Sequence, residues 1–168
     1  LTTDHELIEV TRKYPLAITP YYASLIRRAD SCDPIFQQCV PQGQELIDPP
    51  FLMPDPLEEC HDMPVPGMVH RYPDRALVIA TTMCSTYCRH CTRKRIAGTR
   101  ETSITKRRLE QIAAYLTEHP QISDVIISGG DPLTMSTENL EMVLSRLRQV
   151  PSVQIIRIGS RDSTISRF

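Results

Sequence analysis

The spacing of hydrophobic positions changes character near Arg75. Beyond it, Ala76-Leu-Val-Ile-Ala80 is an unbroken apolar run, the pattern of a strand buried on both faces. Leu109, Ile112, Ala113 and Leu116 then recur at helical spacing and predict a helix over about 105–119, stopped by Pro120. Val125–Ile127 reads as a second buried strand. Ser136 can cap a helix reaching about Gln149, with Leu140, Val143, Leu144 and Leu147 on its buried stripe. Val153–Ile158 reads as a third strand. Strand, helix, strand, helix, strand predicts parallel pairing through right-handed crossovers, an α/β class. Three such strands correspond to the first part of a βα barrel. With Phe168 following so soon, the expected picture is a truncated barrel and a piece of a longer enzyme.

Before that point the texture differs. The first part holds most of the 14 prolines and no clear strand. Asp4–Tyr14 reads as a short amphipathic helix. Thr19 followed by Pro20 looks like an N-cap and N1 pair opening a helix to about Arg28. Asp33–Val40 reads as a further helical piece. Pro41 to Pro66, broken by Pro49, Pro50, Pro54, Pro56 and Pro64, reads as an extended wrapping segment. The division expected is a mainly helical, Pro-rich segment over 1–70 and an α/β part over 71–168.

Composition narrows the partners. Hydrophobic residues are 40% and charged residues 23% of 168, ordinary for a globular chain. A formal net charge of -1 offers no global field for nucleic acid or an anionic membrane. No apolar run reaches the ~20 residues a membrane span needs. The start, Leu-Thr-Thr-Asp-His-Glu, has neither the basic end nor the apolar core of a signal peptide, and it lacks an initiator Met, so missing residues are expected there. Six cysteines could form three disulfides, but three of them lie within eight residues and no secretory signal is visible. Reduced thiols in the cytoplasm fit better. Cys32, Cys39 and Cys60 are expected to be small half-buried residues.

Those three crowded thiols are Cys84, Cys88 and Cys91, a Cys-x3-Cys-x2-Cys loop directly after the first strand. Three thiolates this close can hold an iron–sulfur cluster and leave one iron open for a ligand. A structural zinc site with His90 or another His as fourth ligand is the competing reading, but zinc motifs usually add a second distant cysteine pair, and none is present. The Gly129-Gly130-Asp131 loop follows the second strand and should open on the same face. Its glycines let a backbone come close to a ligand. Arg89, Arg93, Lys94 and Arg95 form a basic cluster, which is more often solvated surface than a site.

Cys84-x3-Cys88-x2-Cys91 followed by Ser128-Gly-Gly-Asp131 resembles radical S-adenosylmethionine enzymes, and more narrowly the lysine 2,3-aminomutase family. The stretches that carry the resemblance are His70–Arg75, Met83–Arg95, Ile127–Leu133 and Arg157–Arg161, with Ile18–Tyr22 and Pro64–Gly67 upstream. It implies a partial radical SAM βα barrel. It implies a [4Fe–4S] cluster on Cys84, Cys88 and Cys91, and S-adenosylmethionine held by Ser128, Gly129, Gly130 and Asp131, with His90 near the adenine. It further implies that Arg93 grips the substrate carboxylate, where a planar guanidinium suits two-point recognition, and that Arg71 and Tyr72 contact the phosphate of pyridoxal 5′-phosphate.

The implied reaction moves the amino group of L-lysine from C2 to C3, giving β-lysine. The implied partners are a small amino-acid substrate, an external electron donor and further copies of the full-length enzyme. The resemblance also places a Schiff-base lysine and substrate-binding acids further along. The lysines here, Lys13, Lys94 and Lys106, stand in no matching context, so the Schiff-base lysine is not present in this chain. A relative acting on glutamate or on an elongation-factor lysine is the alternative enzyme, and a non-catalytic metal-binding fragment the alternative of another class.

Overall fold

The computed structural model describes residues 3–100 and 102–162. Positions 163–168, the tail of the expected α/β part, lie outside the described residues. Four strands form one sheet in the order β1 (Met68–Tyr72), β2 (Arg75–Thr81), β3 (Asp124–Gly129) and β4 (Ile155–Ile158). The three strands expected from the apolar runs are β2, β3 and β4, and they pair in parallel. β1 was not expected. It pairs antiparallel with β2 across the turn at Pro73 and Asp74, with Tyr72 opposite Arg75 and Met68 opposite Val78. Only Met68 and Val69 of it are buried, and its register shifts between Val69 and Tyr72, so no alternating pattern betrays it.

One face of the sheet carries the core. Ala76, Val78, Ala80, Val125 and Ile127 pack there against α4 (Lys106–Glu118) and α5 (Thr137–Arg148). Leu109, Ile112, Ala113 and Leu116 of α4 are all buried, as their spacing requires. On α5 the buried pair is Val143 and Leu147, with Leu144 half-buried beside them. Thr105 and Ser136 cap the two helices by accepting from Arg108 and Asn139 amides. The second face is less covered than a continuous apolar run suggests: Leu77, Ile79 and Ile126 are only half-buried. Ile155 and Ile158 on β4 are exposed, so this strand is a free apolar edge among the described residues.

The part before β1 holds three short helices separated by turns and irregular backbone. α1 (Asp4–Lys13) opens on a capping box between Thr3 and Glu6 and buries Val10. α2 (Pro20–Ser24) starts at the Thr19 cap but stops short of Arg28, because the Arg27 and Arg28 amides donate to the Asp33 carboxylate at 2.9 and 3.2 Å. The same carboxylate caps α3 (Pro34–Cys39). The Pro-rich stretch holds one 3₁₀ turn, Gly43–Leu46, and otherwise runs in turns. No helix among the described residues is long and apolar enough to cross a membrane.

Candidate active site

The site begins where β2 ends. The chain leaves at Thr81, makes the cysteine loop, and returns beside its own start. The Thr82 amide donates to Thr102, the Ile104 amide to Ala80, and the Gly98 amide to Thr82. The loop is thereby a closed excursion with a pinned neck. Gly98 has φ +69°, and a Cβ there would overlap the buried Tyr87 ring.

The glycine loop after β3 is stitched to that neck. The Gly130 amide donates to Thr81 at 2.6 Å, and the Asp131 amide to Met83 at 2.7 Å. Gly129 sits at φ +118°, and a Cβ on Gly130 would overlap the Met83 carbonyl. These glycines therefore permit close approach to the cysteine loop itself. Asp131 then reaches the segment after β4. Its Oδ1 accepts from the Leu133 amide and the Ser160 hydroxyl, and its Oδ2 accepts from the Arg161 amide at 2.7 Å. Buried Asp162 accepts from Ser85 of the cysteine loop. Three loops at the C-terminal ends of three parallel strands are thus tied together.

They surround a cavity of about 460 Å³. Cys84, Cys88 and Cys91 line it with His90, Arg93, Ser128, Gly129, Gly130 and Asp131, so every residue the sequence nominated for cluster, S-adenosylmethionine and substrate carboxylate meets there. All three thiols are free and half-buried. Burial, then the negative groups Cys91, Asp131 and Cys88, push the Cys84 thiol up to about 12. Cys88 Sγ lies 3.6 Å from the Gln38 amide nitrogen and 3.4 Å from Arg161 Nη1, two donors aimed at one sulfur. A cube of four irons takes each thiolate on a separate metal. Three thiols lining one cavity of this size, one of them already hydrogen-bonded, fit such a group. Among the described residues no three His, Cys, Asp or Glu side chains converge on a single ion.

Arg71 and Tyr72 stand apart. They end β1, opposite the beginning of β2, and about six residues at ~3.3 Å each separate that level from the cysteine loop. Arg71 Nε is held by Asp62 at 2.7 Å, and Tyr72 is exposed. Of the remaining cysteines, only Cys39 is buried, while Cys32 and Cys60 are exposed, contrary to the half-buried expectation.

The basic cluster is not solvated surface. Arg89 is buried and grips Glu45 through Nε at 3.0 Å and Nη2 at 2.7 Å, with Nη1 donating to the Pro15 carbonyl. Lys94 joins the same carboxylate and lies 4.1 Å over the Tyr14 ring. Arg93 meets Glu59, and Arg95 meets both Glu59 and Asp55. The acids of the Pro-rich segment are the residues that sequence reasoning missed. Their signal was four cations within seven residues of a loop that also had to bury cysteines, a density that requires counter-charges from elsewhere.

The radical SAM superfamily model matches residues 78–167. L-lysine 2,3-aminomutase of Clostridium subterminale is 45% identical over 98% of this chain and 40% of its own length. The enzyme of that name from Fusobacterium nucleatum is 48% identical over 89% of the chain and 35% of its length. Glutamate 2,3-aminomutase of Clostridioides difficile is 39% identical over 91% of the chain and 36% of its length. The chain thus spans 35–40% of these relatives. With three thiols and the glycine loop facing one cavity at the head of a parallel sheet, and with the family match running through both loops, the chain belongs to the radical SAM superfamily and is similar within it to the lysine and glutamate 2,3-aminomutases.

Proposed function

We propose that the protein carrying this chain is a radical SAM 2,3-aminomutase that converts L-lysine to β-lysine. One observation carries the reading: three thiols, the glycine loop and an arginine share a single cavity in a chain 45–48% identical to enzymes named L-lysine 2,3-aminomutase. In this reading Cys84, Cys88 and Cys91 hold a [4Fe–4S] cluster. Ser128 through Asp131 hold the methionyl end of S-adenosylmethionine, and His90 lies by the adenine. Bound there, these groups would supply an organic radical able to take hydrogen from an unactivated carbon. The chain's own part is to exclude water, to fix the two loops against each other, and to receive the substrate carboxylate on Arg93.

Pyridoxal 5′-phosphate enters through the resemblance of the His70–Arg75 stretch. In this reading Arg71 and Tyr72 contact its phosphate from outside the cavity, Arg71 also pairing with Asp62. An external reductant, a homo-oligomer and a cytoplasmic setting complete the reading, the last because three free thiols need a reducing compartment. Similarity to glutamate 2,3-aminomutase favours glutamate as the second substrate choice.

The test is anaerobic reconstitution of the full open reading frame that contains this chain. L-lysine and L-glutamate are supplied separately with S-adenosylmethionine, reductant and pyridoxal 5′-phosphate. Formation of β-lysine, abolished by Cys88→Ala, is expected. Cleavage of S-adenosylmethionine with neither amino acid consumed would remove the aminomutase reading.

A further inference from the structure

Glu59 is a buried carboxylate behind the cavity wall, its side chain 5% exposed. It lies in the Pro-rich segment, 34 positions from Arg93, and takes that guanidinium by one edge. Arg93 Nε donates to its two oxygens at 2.9 and 3.1 Å, and Nη2 donates to Oε1 at 2.6 Å. Arg95 Nη2 comes within 3.4 Å of Glu59 Oε2, and within 3.0 Å of Asp55. The result is an alternating row, Asp55, Arg95, Glu59, Arg93, running from the Pro-rich strap to the cavity wall.

A guanidinium has five N–H bonds and can offer two edges. Glu59 uses Nε and one hydrogen of Nη2. Nη1 sits 3.4 Å from Ser128 Oγ, on the glycine-loop side. The outer hydrogens of Nη1 and Nη2 form the second, end-on edge, and Arg93 lines the cavity. We propose that Glu59 is a positioning residue that locks one edge of Arg93 so that its other edge is presented to the carboxylate of the amino-acid substrate. This rests on the reading above that Arg93 receives that carboxylate, and it adds the residue that orients it.

Energetics argue against Glu59 being there for stability alone. A buried ion pair recovers little over a well-packed apolar pair, because both charges lose their water. Geometry is what it supplies: Arg is long and rotamer-rich, and a two-point hold on one side removes most of that freedom before the ligand arrives. Glu59 also draws on the charge of Arg93, which by itself would weaken anion binding. The two effects have opposite signs, so the sign of the change on removing Glu59 decides between them.

The experiment uses the reconstituted full-length protein and the amino acid it turns over, L-lysine or L-glutamate, with the α-methyl ester of that amino acid as a probe lacking the carboxylate charge. Equilibrium binding of acid and ester gives a discrimination ratio, and turnover gives kcat and KM. Glu59→Gln is expected to raise KM about tenfold with kcat within about twofold, and to reduce the ratio by a similar factor. Glu59→Asp, which restores charge at shorter reach, is expected to fall between. An unchanged or lowered KM overturns the proposal, the lowered value meaning that Glu59 competes with the ligand. If Glu59→Gln does not fold, Glu59→Asp decides by the same criterion. Arg93→Lys separates the two claims. If it leaves the ratio unchanged, the carboxylate role of Arg93 fails and this proposal with it. A ratio lost in Arg93→Lys but kept in both Glu59 variants sinks this proposal alone.

Discussion

The Gly130 amide donates to the Thr81 carbonyl at 2.6 Å, and that bond fastens the glycine loop to the neck of the cysteine loop. The approach works only without a side chain, since a Cβ on Gly130 would overlap the Met83 carbonyl, a backbone atom that cannot swing aside. Gly130→Ala is therefore expected to part the two loops. Making room for the methyl costs on the order of 1–3 kcal/mol, and the larger effect is on the site. Iron and sulfide per chain after anaerobic reconstitution should fall well below wild type while far-ultraviolet circular dichroism is retained. Wild-type loading in Gly130→Ala would show that the stitch is dispensable.

Asp131 organises the third loop. Its two oxygens accept from Leu133, Ser160 and Arg161, and Asn can supply only one acceptor oxygen. In Asp131→Asn one amide NH₂ group must face a donor, at a cost of about 1–3 kcal/mol. Hydrogen exchange of the Arg161 amide should accelerate by about tenfold or more, while core amides of β3 such as Ile127 keep their protection. Uniform acceleration across both would mean global destabilisation instead.

Much of this arrangement could be read from one dimension, and the part that could not has a common cause. Ala76–Ala80 and Val125–Ile127 announce themselves because a buried parallel strand needs consecutive apolar residues, and α4 because four buried positions repeat at helical spacing. Cys84, Cys88 and Cys91 share a loop, so their chemistry is local. β1 is different: it has two buried residues and a register shift, and its identity is set by the partner it pairs with. The same holds for Glu45 and Glu59. Nothing near them in sequence marks them, and they become site residues only when the Pro-rich strap lies against the cysteine loop. The burial of Arg89 and the pairing of Lys94 and Arg95 stayed hidden for the same reason, since their acids come from a distant segment.

Cysteine substitutions should sort into two groups. Cys84→Ser, Cys88→Ser and Cys91→Ser remove thiols that face the cavity, and each should lower bound iron severalfold after reconstitution, since Ser is a poor ligand for iron in a thiolate site. Cys32→Ser and Cys60→Ser alter exposed residues and should leave loading and thermal midpoint within error. Cys39 is buried in α3 and donates to the Ile35 carbonyl, so Cys39→Ser should change stability slightly and loading not at all. Iron lost equally in both groups would remove the assignment of the loop as the cluster ligand set.

Glu45 makes the same fold sensitive to acid. Burial raises its carboxyl, but hydrogen bonds from Arg89, Lys94 and the Gln42 amide outweigh that, and its pKa ends below the ordinary 4.5. The groups facing it are those two cations, with Tyr14 stacked under Lys94. A carboxyl lowered in the folded state contributes stability that is full above about pH 4.5 and is lost as pH falls through its folded value. Stability should therefore decline in acid, with Glu6, Asp33, Asp55 and Asp62 adding to the slope because their carboxyls are lowered too. Glu45→Gln isolates one contribution. At pH 7 it leaves Arg89 buried without its counter-charge, and a loss of about 3 kcal/mol is expected. As pH drops below 4.5 the wild type loses the same interaction, so the difference between the two proteins should shrink. Urea unfolding of both at pH 7 and near pH 3, well below the ordinary value, measures it. A gap that stays constant or widens toward acid would mean that the Arg89 pair does not depend on the charge of Glu45.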